Sequence, residues 1–202
     1  MRLLSTSEFA AELASPYSET ASARSEIVID GHHTGAVVTG AVLEAALTWQ
    51  NYRIAFFTDD IPFEEMLRIY KFDSDLKIVD RASLGAMYST GTFAELKLQP
   101  PNVITFRFFG GIVWRVVLLA EREFALPYFS APSGVHRQFK FFRHFRVEGK
   151  PLPESARSAE KDKLEDALLE GLRSEESIST ADDWKALRDE AHAKLAERQN
   201  PR

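Results

Sequence analysis

With 202 residues, 15 of them Phe, and a hydrophobic fraction of 45%, the chain can bury one sizeable core and is too apolar to stay disordered. It has no cysteine, which excludes disulfides, thiolate metal sites, iron–sulfur clusters and cysteine nucleophiles. The net charge of −5 speaks against a general nucleic-acid binder, because neutralising phosphates takes a local excess of Lys and Arg. No run of about 18 apolar residues offers a membrane span, so a cytoplasmic setting without membrane contact is the expectation.

Ser5 followed by Glu8 has the capping-box spacing and predicts a short helix with Phe9 and Leu13 on one face. Pro16 among Ser, Thr and Ala predicts a connecting loop, so residues 1–25 read as an N-terminal helix and loop. From Glu26 onward the dominant period is two, which predicts a β-rich core domain over residues 26–150. Between Val37 and Trp49, the positions Leu43, Ala45, Leu47 and Trp49 fit a strand while the alanines would suit a helix, and the strand is preferred. Tyr52 to Thr58 reads as a strand, and Leu67–Phe72 with Leu76–Val79 reads as a hairpin through Asp73-Ser74-Asp75.

Thr92 to Leu98 reads as a strand that ends at Pro100-Pro101. Val103 to Leu119 reads as a hairpin turned by Gly110-Gly111, where two glycines take positive φ easily. A two-residue loop would set Phe109 opposite Ile112, Phe108 opposite Val113 and Arg107 opposite Trp114, with the guanidinium on the indole. Because both faces are apolar, the hairpin is expected at the centre of the core, covered on both sides. Phe139 to Val147 predicts a half-buried strand with Phe139, Phe141, Phe145 and Val147 inward, Arg143 being the exception on that face, and a basic outer face of Gln138, Lys140, His144 and Arg146.

Composition shifts at Gly149-Lys150-Pro151, and residues 151–202 become charge-rich. Leu164, Ala167, Leu168 and Leu172 form one helical stripe, and Trp184, Leu187, Ala191 and Leu195 form a second behind a Thr180/Asp183 cap. The expected fold is therefore mainly β (α+β): an antiparallel sandwich or partly closed barrel with a short N-terminal helix and a separable C-terminal helical hairpin.

Three constellations invite chemistry. The acidic run Asp59, Asp60, Glu64 and Glu65 around Ile61 and Phe63 fits a helix cap, and as a surface it would meet a basic protein partner through Asp59, Asp60, Phe63, Glu64 and Glu65. Asp30-Gly31-His32-His33 reads first as an exposed turn. A metal-dependent hydrolase using Asp30, His32, Asp59 and Asp60 is the alternative. Arg137, Lys140, Arg143 and Arg146, interleaved with Phe, give a second alternative: single-stranded nucleic acid stacked on the rings. No phosphate-cradling glycine loop, nucleophile elbow or zinc-protease motif is present, so no cofactor is expected and a reaction is less expected than binding. By elimination the sequence points to a non-enzymatic protein-binding module, an immunity- or antitoxin-like protein or an assembly adaptor.

Overall fold

In Tyr52–Thr58 the residues Ile54, Ala55, Phe56 and Phe57 are all fully buried, which a strand achieves only when covered on both faces. The computed structural model describes residues 1–61, 65–85, 91–125 and 131–149, and in it that strand is part of the middle layer of three. The strands in chain order are β1 (Arg2–Leu3), β2 (Phe9–Ser15), β3 (Arg24–Ile29), β4 (His32–Thr39), β5 (Val42–Trp49), β6 (Tyr52–Thr58), β7 (Leu67–Phe72), β8 (Ile78–Leu84), β9 (Ala94–Gln99), β10 (Val103–Arg107), β11 (Val113–Phe124), β12 (Val135–His136) and β13 (Phe142–Glu148). They form a six-stranded sheet ordered β1-β5-β6-β7-β8-β12, a four-stranded sheet β13-β11-β10-β9 and a three-stranded sheet β2-β3-β4, with antiparallel pairing throughout.

The six-stranded sheet is the middle layer. Leu47, Trp49, Ile54, Phe56, Leu67, Ile69 and Leu84 on one face pack with Ile104, Phe106, Trp114, Val116, Leu118, Phe145 and Val147 of the four-stranded sheet. On the other face Ala46, Ala55, Phe57, Tyr70 and Phe72 pack with Phe9, Ile27 and Val38 of the three-stranded sheet. The antiparallel, mainly β expectation therefore holds. Among the described residues there is no helix, and none long and apolar enough to cross a membrane. The helical appendage expected over residues 151–202 lies outside the described residues.

The strand readings at Tyr52–Thr58 and Leu67–Phe72 hold, whereas the segment Val37 to Trp49 divides at Gly40-Ala41 between β4 and β5, and the second strand of the hairpin is Ile78–Leu84 rather than Leu76 to Val79. At that hairpin the Asp73 carboxylate accepts the backbone N–H of Asp75 at 3.0 Å and of Lys77 at 2.9 Å, closing the loop.

Three further expectations are corrected. The Ser5/Glu8 pattern does close: the Glu8 carboxylate accepts the Ser5 N–H at 2.9 Å, and the Glu8 and Phe9 N–H groups donate to the Ser5 carbonyl at 3.0 Å. It yields one turn rather than a helix, because Phe9 opens β2, pairs with Ile29 and buries its ring beside Phe72 at 6.5 Å between centroids. The Gly110-Gly111 hairpin is out of the expected register, with Arg107 opposite Val113 and Phe106 opposite Trp114. Both glycines do have positive φ (78° and 67°), but Phe108 and Phe109 leave the ladder and fold inward. Phe109 packs on Trp114 at 4.9 Å and accepts its indole N–H at 3.0 Å, so Arg107 has no indole to stack on and lies 3.5 Å from Glu95 instead. The hairpin is also an outer layer, since Arg107, Val113 and Arg115 open to solvent while the middle sheet takes the central place.

The third correction concerns the last strand. It starts at Phe142, so Phe139 and Phe141 precede it and stand 62% and 46% exposed, whereas Phe145 and Val147 point inward as expected.

Candidate functional site

The acidic run is held by its own fold. Asp59 follows β6 and is 3% exposed, and Arg68 on β7 clamps it through Nε at 2.8 Å and Nη2 at 2.6 Å. The Glu65 carboxylate accepts the backbone N–H groups of Asp59, Asp60 and Ile61 at 2.6, 3.0 and 3.1 Å. Two of the four carboxylates are therefore already partnered, and the mutual repulsion that would call for a cationic partner is largely gone. Asp60 is exposed, while Phe63 and Glu64 lie outside the described residues.

The four residues of the hydrolase alternative do not meet. Asp30 and Gly31, with φ of 49° and 76°, form the β3–β4 turn, as read from sequence. Asp30 lines a groove with Gln50, Asn51 and Tyr52 at the start of β6, whereas Asp59 follows the far end of that strand. A seven-residue strand separates them by roughly 20 Å. His32 is exposed, and His33 leans on Glu26 at 3.2 Å. Among the described residues, no three His, Asp or Glu side chains gather as a metal would require.

The basic strand divides in two. Lys140 and Arg146 are exposed, and Arg146 lies 3.6 Å from Glu123. Arg137 and Arg143 turn inward to a polar corner between the middle and four-stranded sheets. That corner exists because β11 and β13 splay apart: Leu118 pairs with Phe145 and the next pair is Glu123 with Arg143, so four residues of β11 face His144 alone. Side chains of the middle sheet fill the gap. Lys71, fully buried, donates to the carbonyls of Leu119 at 3.0 Å and His144 at 3.3 Å, with its ammonium 3.9 Å from the Tyr52 ring centroid and 4.9 Å from that of Trp49. Asp80, its register partner on β8, accepts the His144 N–H at 2.7 Å and the Arg137 guanidinium at 3.2 Å. Arg137 also donates to the Phe145 carbonyl at 2.9 Å. An ammonium, a carboxylate and a guanidinium thus do for edge strand β13 what a neighbouring strand would do.

Burial pushes the Lys71 ammonium down to about 8, with Asp80 opposing. Burial and then the Lys71 charge lower His144 as well. A buried amine with so low a pKa has the chemistry of a base or nucleophile. Here it is fully enclosed and already donates to two carbonyls, so its role is structural. Between pH 8 and 10 the unfolded chain holds the Lys71 proton while the folded chain releases it, so stability should rise with pH across that window. Urea melts of the protein and of Lys71→Met check this: the wild type should gain on the variant from pH 8 to 10, and parallel pH profiles would refute it.

Outside the corner four phenylalanines stand in solvent: Phe124 at 60%, Phe139 at 62%, Phe141 at 46% and Phe142 at 43%. Phe124 stacks on Phe141 at 6.1 Å and meets Phe142 edge-on at 6.0 Å, Phe139 meets Phe141 at 5.4 Å, and the Arg122 guanidinium covers Phe142 at 4.5 Å. The sequence reading placed two of these rings, Phe139 and Phe141, inside. The available signal was the adjacency of Phe141 and Phe142, since neighbours in an extended chain point to opposite faces and one had to turn out.

Comparison of the chain with protein-family models, with curated proteins and with solved structures gives no significant match.

Proposed function

We propose that the protein is a binding module whose docking surface is the exposed cluster Phe124, Phe139, Phe141 and Phe142, and that it takes a protein partner presenting an acidic edge. The observation that carries this reading is the cluster itself: large rings, mutually packed and open to solvent, are the composition of interface anchors. The nearest charges favour an acidic complement. Of the exposed charged residues beside the rings, the cations Arg122, Lys140 and Arg146 outnumber Glu121 and Glu123, and Arg122 lies directly over Phe142. This moves the contact surface away from the acidic run, two of whose carboxylates already have partners.

Single-stranded nucleic acid suits the surface less well. Of the four cations expected to follow a phosphate backbone, Arg137 and Arg143 are buried and Arg146 faces Glu123, leaving Lys140. Immunity, antitoxin and adaptor roles all fit such a module, and the partner's identity would decide among them.

The test is a photo-reactive phenylalanine analogue at Phe141, with the same analogue at exposed Val113 as control. A discrete protein adduct at position 141 alone, lost on Phe124→Ser, is the expected result. Equal adducts at both positions, or adducts to nucleic acid, would reject the reading.

A further inference from the structure

We propose that a groove on the middle sheet, where β7, β8 and β12 lie beside Thr39 at the end of β4, binds the phosphoryl group of a small molecule. The groove has a volume of about 270 Å³ and is lined by Thr39, Tyr70, Ala82, Ser83 and Gln138, together with Arg68, Arg81, His136 and Arg137. Among the described residues no carboxylate lines it, in a chain whose net charge is −5.

The strand registers place the polar groups on one face. Arg68 pairs with Ser83 and Ser83 with His136, which sets guanidinium, hydroxyl and imidazole side by side across three strands. Tyr70 pairs with Arg81 two residues along, so a second guanidinium joins the same face. Arg68 and Arg81 both lie within electrostatic reach of the Tyr70 hydroxyl, which itself donates to the Thr39 carbonyl at 2.8 Å.

Arg68 is preorganised for an anion. Asp59 holds its Nε and Nη2 from outside the groove lining, fixing the guanidinium plane, and Nη1 makes no hydrogen bond among the described residues. The side chains of Arg81, Ser83 and His136 make none there either. Arg68 and Arg137 have counter-charges in Asp59 and Asp80, whereas the Arg81 guanidinium and the His136 imidazole have no hydrogen-bond partner among the described residues, and an anion in the groove would supply one. A phosphoryl group supplies both the charge and three acceptor oxygens for forked donors. The groove is at the small end of ligand sites, so it fits one phosphoryl group and a short substituent rather than a polymer.

Calorimetric titration of the full chain with inorganic phosphate, glycerol 3-phosphate and malonate tests the assignment. Saturable one-to-one binding of both phosphates is expected, with a Kd of about 1 mM or below, weakened about tenfold or more by Arg81→Ala, which removes a charge-assisted hydrogen bond. His136→Ala should weaken it too, and Arg115→Ala, on another sheet, should leave it unchanged. Non-saturable heats with phosphate, equal affinity in Arg81→Ala, or malonate binding as tightly as phosphate would each overturn the proposal.

Discussion

Replacing Asp80 by Ala should destabilise the protein by about 3–5 kcal/mol, the usual loss when one partner of a buried ion pair is removed. The carboxylate is 2% exposed and accepts from the Arg81 and His144 N–H groups at 2.8 and 2.7 Å and from Arg137 at 3.2 Å. Its loss leaves the Arg137 guanidinium and the Lys71 ammonium enclosed together with no counter-charge. It also frees the His144 N–H, one of the few ties between β13 and the middle sheet. Arg115→Ala is the matched control, because its pair with Glu148 is half exposed and should contribute less than about 1 kcal/mol. The check is the urea midpoint of each variant at unchanged slope. A shift for Asp80→Ala no larger than that for Arg115→Ala would mean that water, not Asp80, compensates the corner.

That corner also marks where sequence reading ends. Strands are local: alternation of two and the turn residues of Asp73-Ser74-Asp75 announce β5 to β8 without knowledge of the rest of the chain. Register is not local. The Gly110-Gly111 pair has the backbone expected of it, yet the pairing moves by one residue, because burying Phe108 and Phe109 outweighs two more ladder pairs. A shift of one exchanges the faces of the strand, which is why Trp114 is fully buried opposite Phe106 rather than under Arg107.

The charged residues are only half legible. Alternation puts Lys71 on the face of Leu67 and Ile69, Asp80 on that of Ala82 and Leu84, and Arg143 on that of Phe145 and Val147, so their inward direction is in the sequence but their partners are not. Their partners are set by the gap between β11 and β13, which depends on a pairing irregularity that no local pattern encodes. The Phe cluster and the arginine groove share this origin: the residue types were visible, but their faces depended on registers.

Charge reversal of Asp59 to Lys should cost at least about 3–5 kcal/mol, although the sequence alone presents it as one member of an acidic surface. β6 and β7 pair with Thr58 opposite Leu67, which brings Asp59, one residue beyond, against Arg68. The carboxylate is 3% exposed and the guanidinium 19%, so the pair is screened little by solvent, and a lysine there would set two cations in contact where one pair stood. Asp60→Asn is the informative comparison, because Asp60 is exposed with φ of 56°, a conformation Asn tolerates, and its change should stay within about 0.5 kcal/mol. The exchange Asp59→Arg with Arg68→Asp should recover part of the loss, since it restores opposite charges in a different geometry. Thermal and urea melts of the four proteins decide the matter. If Asp59→Lys melts with the wild type, Asp59 is free at the surface and the acidic run regains its standing as a docking site. If it collapses while Asp60→Asn does not, the Asp59 carboxylate serves the fold, and its charge is spent on Arg68.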